Sequence, residues 1–252
     1  MILNRLGYTN DQSGIISRYM REKSAWHSHI TNTKQWIINF CEQNSFTSIA
    51  VLGSGWFLDV PVEYLLQKFH HIYVIDILHP PQILQKYKNH RNISFIQADV
   101  TGGLIYKVYE LLYTDTNNES LDSVMSHIPQ FSMPYNVDCV VSLNILNQLD
   151  ILLCDAIQSK VDYKLDGFRK LVQQAHISFL QQYNFCLISD WVQYTTDFRT
   201  QLTRQLNLVY VPEPVCTHAQ EWVWDFDSQG YYVDNSSVSF LVKAFSNTLN
   251  DK

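Results

Sequence analysis

The chain has 252 residues, 46% hydrophobic and 17% charged, enough apolar material for a buried sheet and too much for a disordered segment. Its 24 acidic and 18 basic residues give a net charge of -6 without any lysine- or arginine-rich run, which argues against a nucleic-acid partner. No stretch nears the roughly 20 apolar residues of a membrane span, and the start is too polar for a signal peptide. A cytoplasmic protein with no membrane partner and one large structural domain is expected.

In chain order, Trp26, Ile30, Trp36, Ile37, Phe40 and Cys41 recur at helical spacing, so residues 24–43 are predicted to be a helix. It makes residues 1–46 an N-terminal helical segment packed on a core of residues 47–252. TSIAVLG is a short apolar run stopped by glycine, the pattern of a strand buried on both faces. DVPVEYLLQKF then reads as a helix, with Asp59 available as its N-cap and Pro61 in its first turn. HIYVID, NISFIQAD, YNVDCVVSLNI and NFCLISDW are four further strands. Leu165, Phe168, Leu171, Val172, Ala175 and Phe179 mark one side of a long helix between the last two.

Strands alternating with helices imply parallel pairing through right-handed crossovers, so the fold class is α/β with a doubly wound, mostly parallel sheet. After the fifth strand DFRTQLTRQL is predicted helical. EWVWDFD and SSVSFLVKAF, joined by the turn-forming SQGYYVDN, form a C-terminal antiparallel strand pair. The polar stretch 114–123 is expected as a surface loop. Cys41, Cys139, Cys154, Cys186 and Cys216 are odd in number, far apart and without a CxxC pair, so they are expected as small core residues, with neither disulfides nor zinc.

Ligands of doubly wound sheets bind beyond the carboxyl ends of the strands, where the strand order reverses. The residues following the five strands are Gly53-Ser54-Gly55, Asp76, Asp99, Asn144 and Asp190. The glycines permit a sharp turn and close approach to a ligand, and Asp76 lies where a carboxylate can accept from both ribose hydroxyls. Each also has a plain structural reading, as a tight turn or a loop cap. His27 and His29 lack the spacing of a metal pair on one helical face and are expected at a polar helix start or over the pocket; no metal site is expected.

VLGSGWFLDVP, YVIDILHP, ISFIQADV and VDCVVSLNILNQL resemble the class I S-adenosylmethionine-dependent methyltransferases, over most of the chain from Thr47 onward. The resemblance implies a Rossmann-like fold and S-adenosylmethionine as cofactor. Gly53, Ser54, Gly55 and Trp56 would then lie along its methionine and sugar parts, Asp76 and Ile77 at the ribose, Asp99 and Val100 at the adenine, and Asn144 beside the transferring methyl. Val51 stands where the family has an acid and Phe57 where it has a third glycine, so Asp59 is the alternative carboxylate for the cofactor's amino group. Asn144, Asp190 and His218 are the candidate catalytic groups. The methyl acceptor is expected to be a small molecule or a protein side chain. Two alternatives stay open: a non-catalytic binding protein on the same fold, and an NAD(P)-dependent oxidoreductase, which Leu58 at the third glycine of GxGxxG disfavours.

Overall fold

The computed structural model describes residues 2–114 and 120–249, so residues 115–119 of the expected surface loop lie outside the described residues. Along the chain, α1 (Ile2–Arg5), α2 (Tyr8–Glu42), β1 (Ser48–Leu52), α3 (Val62–Lys68), β2 (His71–Asp76), α4 (Pro81–Tyr87) and β3 (Ile93–Gln97) come first. Next are α5 (Leu104–Tyr113), α6 (Leu121–Ser126), β4 (Cys139–Leu143), α7 (Ile151–Gln158), α8 (Asp166–Leu180) and β5 (Asn184–Asp197). The chain ends with β6 (Thr203–Asn207), β7 (His218–Asp227) and β8 (Ser236–Asn247). Residues 121–123, expected as loop, are helical instead, because the Ser120 hydroxyl accepts from the Ser123 N–H and caps α6.

The strands form one sheet in the order β3-β2-β1-β4-β5-β8-β7. Strands β1 to β5 pair in parallel along this path, β8 runs antiparallel between β5 and β7, and the doubly wound, mostly parallel sheet is the one predicted. Its order reverses between β1 and β4, which lie side by side with Leu52 opposite Ser142. Every residue of β4 is buried, as two-sided cover requires. Ile37 and Phe40 of α2 with Leu65 of α3 cover one face; Ile177 and Phe179 of α8 help cover the other. Within α8, Leu171 turns out exposed, and the buried stripe includes Gln173 and His176, which find polar partners.

Two further elements depart from expectation. Helix α2 is far longer than 24–43 and bends at Glu22 (φ -102°, ψ 20°). There the buried carboxylate accepts from the N–H and hydroxyl of Ser228, which fixes the bend against the end of β7. The DFRTQLTRQL segment is a hairpin, not a helix. Asp197 Oδ1 accepts from Arg199 N, Thr200 N and Thr200 Oγ1, Gln201 takes a left-handed φ of 57°, and β6 returns antiparallel against residues 192–196 of β5. An aspartate that collects local N–H groups competes with the helix ladder and favours a turn.

Candidate functional site

The turn after β1 and the turn after β4 face each other across the point of strand-order reversal. A Cβ on Gly53 (φ 78°) would lie 2.1 Å from Ile145 Cγ2 and 2.6 Å from the Leu143 carbonyl oxygen, so this glycine is required by packing between the two turns. A Cβ on Gly55 (φ 45°) would meet nothing within 4 Å. The second glycine therefore opens onto space. Phe57 and Asn144 take left-handed backbone (φ 58° and 52°), a costly conformation for a bulky residue and a tolerable one for asparagine. Phe57 holds the conformation expected of the third glycine, with its ring buried against Tyr87 and Phe95.

The carboxylates at the strand ends divide into two kinds. Asp76 Oδ2 accepts from the Gly55 N–H at 2.8 Å and Oδ1 from Leu78 N–H at 3.4 Å, while burial holds its carboxyl above the usual range. Asp99 accepts from Thr101 N–H and hydroxyl and from the Ile105 N–H in the first turn of α5. Both bind backbone groups, which for Asp76 is the loop-cap alternative. An ionised carboxylate has about four acceptor sites, so each retains capacity for a ligand. Ile77 is half-buried beside the cluster of α5 and α7, and Val100 lines a small cavity with Thr101, Phe131 and His176 on the α8 face.

Asp59 and Asp190 behave differently. Asp59 is not the cap of α3, whose N-cap is Pro61; its Oδ2 accepts instead from Asn144 Nδ2 at 2.7 Å. Burial pushes its carboxyl up to about 6. Asp190 is 3% exposed, has an Oδ1 without a partner, and is pushed up to about 7 by burial and then by the charge of Asp59. It sits beside a bulge where the β5–β8 register shifts between Asp190 and Val192, a distortion that re-aims side chains.

His29 completes this group from α2. Trp222 Nε1, which can only donate, bonds to His29 Nδ1 at 3.1 Å, so the proton of the neutral ring is on Nε2. That Nε2 has no partner and lies 4.0 Å from Asp59 Oδ2. Burial lowers the imidazole to about 3, and its ring stacks on Trp224 at 3.9 Å, so it remains neutral. The Asn144 Oδ1 and the buried Ser54 hydroxyl are also unpartnered. Two of these unpartnered atoms belong to side chains that converge on one carboxylate: Asn144 is bonded to Asp59, and His29 Nε2 lies 4.0 Å from it.

The first half of α2 roofs this region. Trp56 Nε1 donates to the Gln12 carbonyl at 2.8 Å, and Gln12 Nε2 to the Leu78 carbonyl at 2.7 Å. Trp56 thus lies between the glycine turn and α2, and His29 lies farther along the same helix against Trp222 and Trp224. The Tyr8 hydroxyl, buried and unpartnered, is raised above the ordinary phenol range by burial and then by Asp99. Sequence reasoning missed Gln12, Tyr8 and Trp222, which carry no local motif; they reach the site only through tertiary packing. His27 is exposed. His218 is set apart: it is exposed at the start of the edge strand β7, four strands from β1, and the catalytic assignment fails on placement. Asn147 accepts from the Ser189 hydroxyl in the core and is structural. Among the described residues no group of three His, Cys, Asp or Glu side chains is arranged to hold a metal ion, and no helix is long and apolar enough to cross a membrane.

Strand order, the antiparallel β8 and the glycine turn at the reversal point define a doubly wound, Rossmann-like fold. Similar solved structures include the N-methyltransferase NodS from Bradyrhizobium japonicum WM9 in complex with S-adenosyl-L-homocysteine, at 13% identity over 86% of each chain with a TM-score of 0.39. Another is the 1,6-didemethyltoxoflavin-N1-methyltransferase of Burkholderia thailandensis with bound 1,6-didemethyltoxoflavin and S-adenosylhomocysteine, at 10% identity over 94% of this chain and 87% of that one, with a TM-score of 0.42. No protein-family model matches the chain, and no curated protein matches it.

Proposed function

We propose that this chain is a cytoplasmic S-adenosylmethionine-dependent methyltransferase acting on a small molecule or a protein side chain. The observation that carries the reading is the glycine turn at the point of strand-order reversal, where a Cβ on Gly55 would meet nothing within 4 Å and the Asp76 carboxylate at the end of the next strand accepts from the Gly55 N–H. Gly53, Ser54, Gly55 and Trp56 would hold the methionine and sugar parts, Asp76 and Ile77 the ribose, and Asp99 and Val100 the adenine. Asn144 would flank the transferring methyl, and Asp59 would meet the cofactor's amino group. When bound, S-adenosylmethionine supplies a methyl on a positively charged sulfur, poised for direct displacement. The chain's own contribution is placement: the turns fix the donor, and α2 with Trp56 keeps water out. Five free cysteines suit a reducing compartment.

One observation favours a second reading, a binding protein on the same fold without catalysis. The roof formed by Gln12 and Trp56 spans the turn, and Asp76 already serves the Gly55 N–H. Calorimetric titration with S-adenosylmethionine, S-adenosylhomocysteine and NAD in parallel separates the readings. Binding of the first two and not NAD is expected, with a rise in melting temperature, since a ligand of the native state stabilises by mass action. Binding of neither at millimolar concentration would leave the non-catalytic reading, and NAD alone would overturn both.

A further inference from the structure

Resting on that reading, we infer that the Tyr8 hydroxyl is a further binding group for the cofactor, carried over the crevice by α2 and completed by the nucleoside half of the ligand. The path of α2 supports this. Leu6 and Tyr8 pack with Leu104 of α5 and Leu153 of α7 in a cluster on the α8 face of the sheet. Ile15 and Tyr19 pack with Trp26 and Leu65 in the cluster on the opposite face. The helix therefore passes from one face to the other within residues 8–15. It does so at the carboxyl ends of the strands, because Gln12, midway, is bonded to Trp56 in the turn after β1 and to Leu78 in the turn after β2. Gly7, with a φ of 91°, begins the crossing beside α7, where a Cβ would lie 3.6 Å from Leu152 Cδ2.

Tyr8 stands one turn before Gln12, so the two side chains share a helix face. Its ring packs on the same cluster as Ile77, Val100 and Ile145, which follow β2, β3 and β4. Ile105, whose N–H is held by Asp99, belongs to that cluster too. Ile77, Asp99 and Val100 are the residues that would meet ribose and adenine, which assigns Tyr8 to the nucleoside and not to the methionine end. The independent sign of a ligand is the hydroxyl itself: it is buried and has no hydrogen-bond partner among the described residues. A buried hydroxyl is unfavourable until something pairs with it. Burial keeps the phenol protonated, so it can donate one hydrogen bond and accept others, as the ring nitrogens and hydroxyls of a nucleoside require.

Tyr8→Phe deletes the hydroxyl and keeps the ring. The ligands for calorimetry are S-adenosylhomocysteine and 5′-methylthioadenosine, which keeps the nucleoside and lacks the amino-acid chain. Both are expected to bind the variant at least about threefold more weakly, the loss of one hydrogen bond between neutral groups. The ligand-free variant should melt at the native temperature or above it, because no bond within the protein is lost. A lowered melting temperature of the ligand-free variant would reveal an internal partner for the hydroxyl and overturn the inference. Unchanged affinities would overturn it as well. A loss for S-adenosylhomocysteine alone, or binding of S-adenosylhomocysteine without 5′-methylthioadenosine, would overturn the nucleoside assignment. Each of these outcomes leaves the methyltransferase reading standing, whereas failure of S-adenosylhomocysteine to bind the native protein would remove both.

Discussion

Glycines 53 and 55 are two positions apart in one turn, yet they answer to different constraints. Gly53→Ala places a methyl into Ile145 and the Leu143 carbonyl, a clash with backbone that cannot move cheaply, and destabilisation of several kcal/mol is expected in thermal melts. Gly55→Ala meets no neighbour and should cost only the left-handed backbone penalty, about 1 to 2 kcal/mol, while sharply weakening S-adenosylhomocysteine. Equal losses of stability in the two variants would contradict this division. Asp190 gives a prediction in pH. Its carboxyl ordinarily titrates at 3.8 and is raised to about 7 in the fold, so the native state prefers the proton. Its favourable contribution is complete below about pH 3.8 and is lost as pH rises through about 7. Asp190→Asn removes the buried charge, so above pH 7 it should be more stable than the parent by on the order of a few kcal/mol, at about 1.4 kcal/mol per pKa unit, and melt at a higher temperature. The gap should close toward pH 4, and melts showing a constant gap would refute the linkage. Only the positions of these residues, and not their interplay, were legible locally. Gly53, Gly55, Asp76 and Asp99 could be found because strand-end positions follow from the apolar runs before them. The coupling of Asp59, Asp190, His29 and Trp222 joins residues from four separate parts of the chain and has no sequence period.

At the level of elements, the parallel strands were readable because each is a short apolar run bounded by turn residues, and β4 is buried throughout. Strand β6 was not. All five of its residues are exposed, so neither face carries the alternation that reveals a half-buried strand, and the helix-like spacing of DFRTQL was overridden by the Asp197 turn. Helix α2 was half legible for the same reason. Its second half has a buried stripe through Trp26, Ile37 and Phe40, whereas its first half has no buried residue before Glu22. Few buried contacts and a bend mean that the two halves differ in local stability. Hydrogen exchange should therefore be faster over residues 8–21 than over 23–42. Glu22→Ala leaves the Ser228 N–H and hydroxyl without their acceptor; a loss of about 1 to 3 kcal/mol is expected, together with faster exchange confined to the first half. Uniform exchange along α2 in the variant would show that Glu22 does not separate the halves.

On the scale of the whole molecule, the N-terminal segment and the C-terminal strands are one packing unit. Trp26 stacks on Phe226 and donates to its carbonyl, and His29 lies on Trp224 and accepts from Trp222. A chain restricted to residues 47–252 loses the cover of this aromatic wall, and it is expected to melt without a sharp transition and to bind a hydrophobic dye; a cooperative melt would show that residues 47–252 fold alone. The Trp26 to Phe226 bond also spans 200 positions of sequence. During synthesis the helix leaves the ribosome 200 residues ahead of its docking strand. At about 5 to 20 residues per second, Trp26 waits roughly 10 to 40 seconds for its partner. Throughout that interval the apolar stripe of α2 is uncovered, which is a demand on chaperones that the finished protein no longer reveals.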